Sequence, residues 1–166
     1  MGETLEQFAA ACSQALEADN GPRGRNEVRA HLEKMLSDPD FVARYVDEQG
    51  PERKVLYEDP KHGFLIVAHV YHQGREGGAH DHGHSWAIYG QASGESDMSD
   101  WTKLEIAEPG KPGRATYARS YTLRPGMAHL YNEGDLHSLK QKGPARLVRI
   151  EGADLTKLRR LAYHIV

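Results

Sequence analysis

The chain of 166 residues carries 27% charged and 39% apolar side chains with a net charge of -3, the make-up of one globular domain with enough apolar material for a core. That balance offers no basic surface for nucleic acid or an anionic membrane, and no apolar run approaches the ~20 residues of a membrane span. The single Cys12 excludes an intrachain disulfide and agrees with a cytoplasmic location; the first residues lack a secretory signal, and Glu6 stands where myristoylation requires Ser or Thr.

The first 50 residues read as helical. Leu5, Phe8, Ala9, Cys12 and Leu16 share one face of a helix over 3–18, which Asn20-Gly21-Pro22 ends. A second helix is expected from about Asn26, with Val28, His31, Leu32, Met35 and Leu36 on one side. Asp38-Pro39 breaks it, and Pro39 suits the first turn of a short third helix holding Phe41, Val42, Tyr45 and Val46. Beyond Gln49-Gly50-Pro51 the pattern turns to strands: 64–71, 79–89, 101–106, 115–123, 127–131, 136–139, 145–150 and 160–165. Turn residues such as Ser93-Gly94, Pro125-Gly126 and Lys142-Gly143-Pro144 separate them. The expectation is an antiparallel barrel or jelly roll over 51–166, with segment 1–50 as a helical appendage packed on it.

Ten histidines are about twice the ordinary number, and they cluster. His80 and His82 stand two apart in an expected strand, so both imidazoles would project from one face and could share a metal ion, with Asp81 turned the other way. His84 continues the alternation and makes a competing pair with His82, but Gly83 suggests that the strand loosens there. The segment reads Gly74, five residues, His80-x-His82, four residues, Ala87, six residues, Gly94. A second segment reads Gly126, five residues, Asn132, then Gly134 and His137.

These two segments, in this order and spacing, resemble the two sequence motifs of the cupins. The resemblance implies a double-stranded β-helix, a mainly β jelly-roll barrel, with His80, His82 and His137 as metal ligands. His129, eight residues earlier, is the rival third ligand or otherwise lines the substrate cavity. Three departures stand out. Ala87 replaces the usual glutamate, Asn132 the usual proline, and Gln141 the asparagine expected after the second motif. Three neutral imidazoles without a carboxylate suit iron, zinc, nickel or manganese rather than magnesium or calcium.

Within the cupins, residues 52–140 resemble the thiol dioxygenases, the family of cysteine dioxygenase and 3-mercaptopropionate dioxygenase, through Arg53-Lys-Val-Leu-Tyr-Glu-Asp-Pro60, His80-Asp-His82, Thr122-Leu-Arg124 and Gly134-Asp-Leu-His137. That resemblance implies Fe(II) on three histidines and a small anionic substrate, oxidised by O2. An arginine before the first barrel strand, matched by Arg53, would grip the substrate carboxylate. The Ser-His-Tyr series of that family is replaced by Leu147, Arg149 and Glu151, which alternation puts on one face. If that face is the cavity, Arg149 binds an anion and Glu151 acts as a base or orients a histidine; if not, both are solvated charges. Trp86 is a further candidate for the cavity wall, whereas Tyr89 reads as core. Zinc or nickel chemistry, hydrolysis or isomerisation, is the alternative function, and a ligand-binding cupin without activity a third. Pairing of two copies through barrel edges is the expected assembly.

Overall fold

The computed structural model describes residues 2–166. Helix α1, Leu5–Ala18, opens with a reciprocal cap: the Thr4 hydroxyl accepts from the Gln7 N–H, and the Gln7 side chain accepts from the Thr4 N–H. Helix α2, Pro22–Leu36, starts four residues before the expected Asn26. Gly21 is its N-cap and Pro22 sits in the first turn, where a missing N–H breaks no intrahelical bond. The Gly-Pro pair therefore begins α2 as well as separating it from α1. Helix α3, Pro39–Tyr45, is capped by the Asp38 carboxylate, which accepts from the Asp40 N–H. No helix among the described residues is long and apolar enough to cross a membrane.

Ten strands follow: β1 Arg53–Glu58, β2 Leu65–Tyr71, β3 Arg75–Glu76, β4 Ala87–Ser93, β5 Ser96–Glu105, β6 Gly113–Leu123, β7 Ala128–Tyr131, β8 Leu136–Gln141, β9 Ala145–Glu151 and β10 Tyr163–Ile165. They form two sheets, ordered β1-β2-β9-β4-β7 and β10-β6-β5-β8-β3. The pairs are antiparallel except β10 with β6. Consecutive strands lie in opposite sheets at every step but β1–β2 and β5–β6, so the chain winds back and forth between two packed sheets as a jelly-roll barrel.

Three readings differ in detail. The expected strand 101–106 is the second half of β5, which begins already at Ser96. Strand β1 carries no alternation of apolar residues, because only part of each face is covered, and it went unread. The expected strand 79–89 is a loop up to Trp86, and β4 begins only at Ala87. Glycines at 77, 78 and 83 free that stretch from a ladder, and Gly83 has φ +60, outside strand geometry.

Alternation sorts the first sheet cleanly. Ile66, Ala68, Ile88, Ala128, Val148 and Ile150 face outward and share one hydrophobic cluster with Phe8, Cys12, Leu16, Val28, Leu32 and Met35 of the helices. The approach is close at Gly90, where a Cβ would meet Leu32 Cδ2 and Leu36 Cδ1 at 2.7 Å. The inward face is different in kind. It carries His69 and Tyr71 on β2, Tyr89 on β4, His129 and Tyr131 on β7, and Leu147, Arg149 and Glu151 on β9. Burying the outer face under helices supplies the core, which leaves the barrel interior free to hold polar groups.

Candidate metal centre

His80, His82 and His137 come together inside the barrel, each offering a ring nitrogen within 4.8 Å of the others. Backbone pairing places them. The His80 N–H donates to the His137 carbonyl at 2.9 Å, and the His137 N–H returns to the His80 carbonyl at 3.0 Å. This isolated bridge pins the His-x-His loop to β8 at the ligand residues themselves. Asp81 points away from the cluster although the segment is a loop and not the expected strand: its carboxylate accepts from Lys103 Nζ at 2.7 Å and from the Gly83 N–H at 2.9 Å. His84 is exposed and stands outside the cluster.

Hydrogen bonds settle two of the tautomers. A carbonyl can only accept, so His80 Nδ1 donates to Gly78 O at 2.9 Å and His137 Nδ1 donates to Asp135 O at 2.9 Å. Both Nε2 atoms then present lone pairs inward. The His80 Nε2 is buried without a partner, and His137 Nε2 lies 3.1 Å from His82 Nε2. Buried lone pairs facing one another are costly unless a cation or proton lies between them. Burial, followed by the neighbouring His80 and the guanidinium groups of Arg149 and Arg160, pushes the His82 pKa down to about 3. Burial also holds His80 below, and His137 well below, the ordinary histidine value. The three rings are thus neutral at neutral pH, the form that ligates a metal. Two imidazole nitrogens about 2.0–2.1 Å from one ion are about 2.9 to 3.4 Å apart in octahedral or tetrahedral geometry, so 3.1 Å fits. A carboxylate is absent from this cluster, and Ala87, at the usual acidic position, is a fully buried methyl group. The donor set suits a divalent transition metal.

Tyr89 is a core residue as expected, its ring buried among Ala87, Met98, Leu123, Tyr131 and Leu139, and its hydroxyl also reaches this centre. Its Oη stands 3.0 Å from His82 Nε2 and 3.3 Å from His137 Nε2. The Arg149 guanidinium lies over the Tyr89 ring, 4.3 Å from its centroid. Alternation held the clue, since Tyr89 is the next inward residue after position 87 on the same strand.

Arg149 also lines a cavity of about 240 Å³, together with Arg53, Arg75, Arg160, His69 and Glu151. A larger concavity, about 580 Å³, lies between α3 and Arg146 on the helical side and holds none of the clustered histidines. Two of the four arginines in the smaller cavity are neutralised. Arg53 makes a two-pronged pair with Glu151, at 3.0 and 3.1 Å, and reaches Asp154 at 3.3 Å. Arg75 pairs with Glu52 at 3.2 Å. Arg149 meets no carboxylate among its contacts. Its Nη2 donates to Tyr71 Oη at 3.4 Å, and its Nε is buried without a partner among the described residues. Tyr71 Oη in turn makes a hydrogen bond with His69 Nδ1 at 3.0 Å. His69 is held down to about pH 2 by burial first and then by Arg149, Arg53 and Arg75.

The expected site residues therefore separate. Leu147, Arg149 and Glu151 face the interior, and Arg149 links the cavity to the histidines through Tyr89. Glu151 touches no ligand histidine: its partners are Arg53 and the Leu155 N–H. Arg53 reaches the cavity, but through that ion pair. Trp86 is a correction. It faces the helices within the outer cluster, under the Arg25 guanidinium, because it precedes inward-facing Ala87 by one residue. His129 is half-buried on the inner face but one ring removed from the cluster. It packs against Tyr131, whose ring stacks on His137 at 3.9 Å, and it does not line the arginine cavity. His69 and Arg160 carry no signal in the sequence reading; His69 becomes legible once β2 is read by alternation, while Arg160 arrives from a segment without regular structure.

No family model matches the chain, and no curated protein matches it. Solved structures do. A cupin superfamily protein from Desulfitobacterium hafniense is 13% identical, with 61% of this chain and 76% of that one covered at a TM-score of 0.43. The cupin domain of Cnp3 from Schizosaccharomyces pombe is 14% identical over 63% of this chain and 62% of its own, at a TM-score of 0.45. A conserved protein with a double-stranded β-helix domain from Klebsiella pneumoniae is 21% identical over 73% of this chain and 93% of its own, at a TM-score of 0.46. These are similarities to cupin folds.

Proposed function

We infer that the protein is a metal-dependent oxidoreductase, a non-haem Fe(II) dioxygenase of thiol-dioxygenase type that oxidises a small anionic substrate with O2. The observation that carries this reading is the joining of two features. An all-imidazole centre without a carboxylate stands next to a cavity whose innermost guanidinium, Arg149, has no acidic partner among its contacts. A bound Fe(II) would bring substrate and O2 together, the electrons that reduce O2 coming from the substrate, which takes up both oxygen atoms. The chain's own residues would do the rest: His80, His82 and His137 hold the ion, and Arg149 binds the substrate anion within reach of it. Arg53 keeps a second cationic group at the cavity, held in place by Glu151. A base role for Glu151 has less support than this positioning role, since both its oxygens accept from Arg53.

The replacement of the Ser-His-Tyr series by Leu147, Arg149 and Glu151 favours a second reading, zinc or nickel chemistry such as hydrolysis or isomerisation at the same centre. Metal analysis of untagged protein, followed by O2-uptake assays of the Fe(II) form with cysteine, 3-mercaptopropionate and cysteamine, separates the readings. Iron at one per chain with thiol-dependent uptake supports the first. Iron without uptake of O2 with any thiol removes its thiol part. Zinc or nickel without O2 reactivity moves the assignment to the second, and no metal after reconstitution leaves a ligand-binding cupin.

A further inference from the structure

We propose that Tyr89 is a fourth protein ligand of the metal, its phenol oxygen standing in for the carboxylate that Ala87 cannot supply. This rests on the reading of the three histidines as a metal centre.

Three inward-facing atoms form a nearly equilateral triangle. His82 Nε2 and His137 Nε2 are 3.1 Å apart, and Tyr89 Oη is 3.0 Å from the first and 3.3 Å from the second. Each edge falls within the spacing of about 2.9 to 3.4 Å for neighbouring ligands of one ion. The oxygen is therefore as well placed as either nitrogen to hold an ion shared by all three atoms. Hydrogen bonding alone leaves His80 unsatisfied: Tyr89 Oη, His82 Nε2 and His137 Nε2 can share protons among themselves, yet the His80 Nε2, whose Nδ1 is committed to the Gly78 carbonyl, stays buried without a partner. A cation among the three histidines, whose ring nitrogens lie within 4.8 Å of one another, satisfies all of these atoms together.

The strand explains why this residue takes the place. Ala87 and Tyr89 are successive inward residues of β4. The methyl group at 87 leaves the position of the usual acid without an oxygen, and the longer side chain two residues on brings one. The ring is held there. It is 1% exposed, with the Arg149 guanidinium over one face and the Tyr131 ring edge-on at 5.0 Å. Binding forms a bond from Oη to the ion and releases the phenol proton to solvent. The product is a three-nitrogen, one-oxygen donor set, as a histidine–carboxylate centre would have, but with an aromatic oxygen.

The test is titration of the untagged, metal-free full chain with Cu(II) and, separately, Zn(II), for wild type, Tyr89→Phe and His137→Ala. In the wild type, Cu(II) at one per chain is expected to give a visible phenolate-to-copper charge-transfer band, and Zn(II) the ultraviolet difference spectrum of one ionised tyrosine. Tyr89→Phe is expected to bind one ion without either signal and at least about tenfold more weakly. Stoichiometric binding in the wild type without these signals, or signals that persist in Tyr89→Phe, overturns the assignment of Tyr89 and leaves the three histidines standing. Failure of the wild type to bind, or full affinity in His137→Ala, overturns the histidine centre and this inference with it. If Tyr89→Phe does not fold, the Zn(II) difference spectrum of the wild type decides alone.

Discussion

At the scale of single residues, Arg53 and Arg149 look alike in the sequence and differ in what surrounds them. Arg53 is bound to Glu151, a carboxylate only 1% exposed, so much of its charge is already committed. Replacing Arg53 with Met strands that acid. Because the Arg53 side chain is a quarter exposed, the loss is expected at the low end of buried-pair values, about 2–3 kcal/mol. Urea denaturation checks it, and an unchanged midpoint would return Arg53 to the role of a free substrate clamp. Arg149 has no such partner. Arg149→Met should leave stability less affected and weaken the binding of small carboxylates by roughly 10- to 100-fold, the loss of one charge-assisted hydrogen-bonded contact. Calorimetric titration with a carboxylate that competes for the cavity reads this directly. His-x-His spacing identified His80 and His82 before any fold was known. The second motif's spacing favours His137 over His129, and the pairing of His80 with His137 agrees with that choice.

At the scale of elements, the contact of α2 with β4 decides how the barrel is closed on its outer side. Gly90 lies within van der Waals reach of Leu32 and Leu36, and both leucines are buried. Gly90→Val is expected to destabilise by about 1–3 kcal/mol through overpacking, with the helix pushed off the sheet. A lowered melting temperature together with faster amide exchange in α2 would show it. Stability loss without a change in α2 protection would place the strain inside β4 instead. The helices were legible from apolar spacing, and the long strands from alternation or continuous apolar runs. Strand β1 and the loop before β4 were not. Strand β1 is half-exposed with mixed faces, and the loop takes its path from a single bridge to β8, a contact remote in sequence.

At the scale of the whole molecule, the polar interior ties stability to pH and to metal. His69 and His82 are neutral when folded, with pKa values pressed down to about 2 and about 3 from an unfolded value near 6.5. Above pH 6.5 they are neutral in both states and cost nothing. As pH falls below that, the unfolded chain takes up protons that the folded chain cannot. Each group then removes about 1.4 kcal/mol of stability per pH unit until its folded pKa is reached. The metal-free protein should therefore lose denaturation midpoint steeply between pH 6.5 and 4, and His69→Gln should lose it less steeply. A flat profile over that range would mean that these rings are not buried neutral. Metal acts in the opposite direction: at 100 times its dissociation constant, an ion bound only by the folded state adds about 2.7 kcal/mol. A rise in melting temperature on adding Zn(II) at pH 7.5, absent in His137→Ala, is the expected outcome.

The sequence by itself determined the barrel with its helical front, because apolar periodicity and strand alternation are local properties, and it marked His80, His82 and His137 through the spacing of two motifs rather than through a strand repeat, since His80 and His82 stand in a loop. It also showed that the acidic ligand is missing at position 87. The tertiary structure alone decided that Arg149 faces the cavity while Glu151 is held by Arg53, and that Trp86 belongs to the helical side. It alone brought Tyr89 to the histidines. Each of these depends on which strand lies beside which, and on which face of a sheet the helices cover. Those are pairings between residues tens of positions apart, fixed by burial and hydrogen bonding across the barrel rather than by any local pattern.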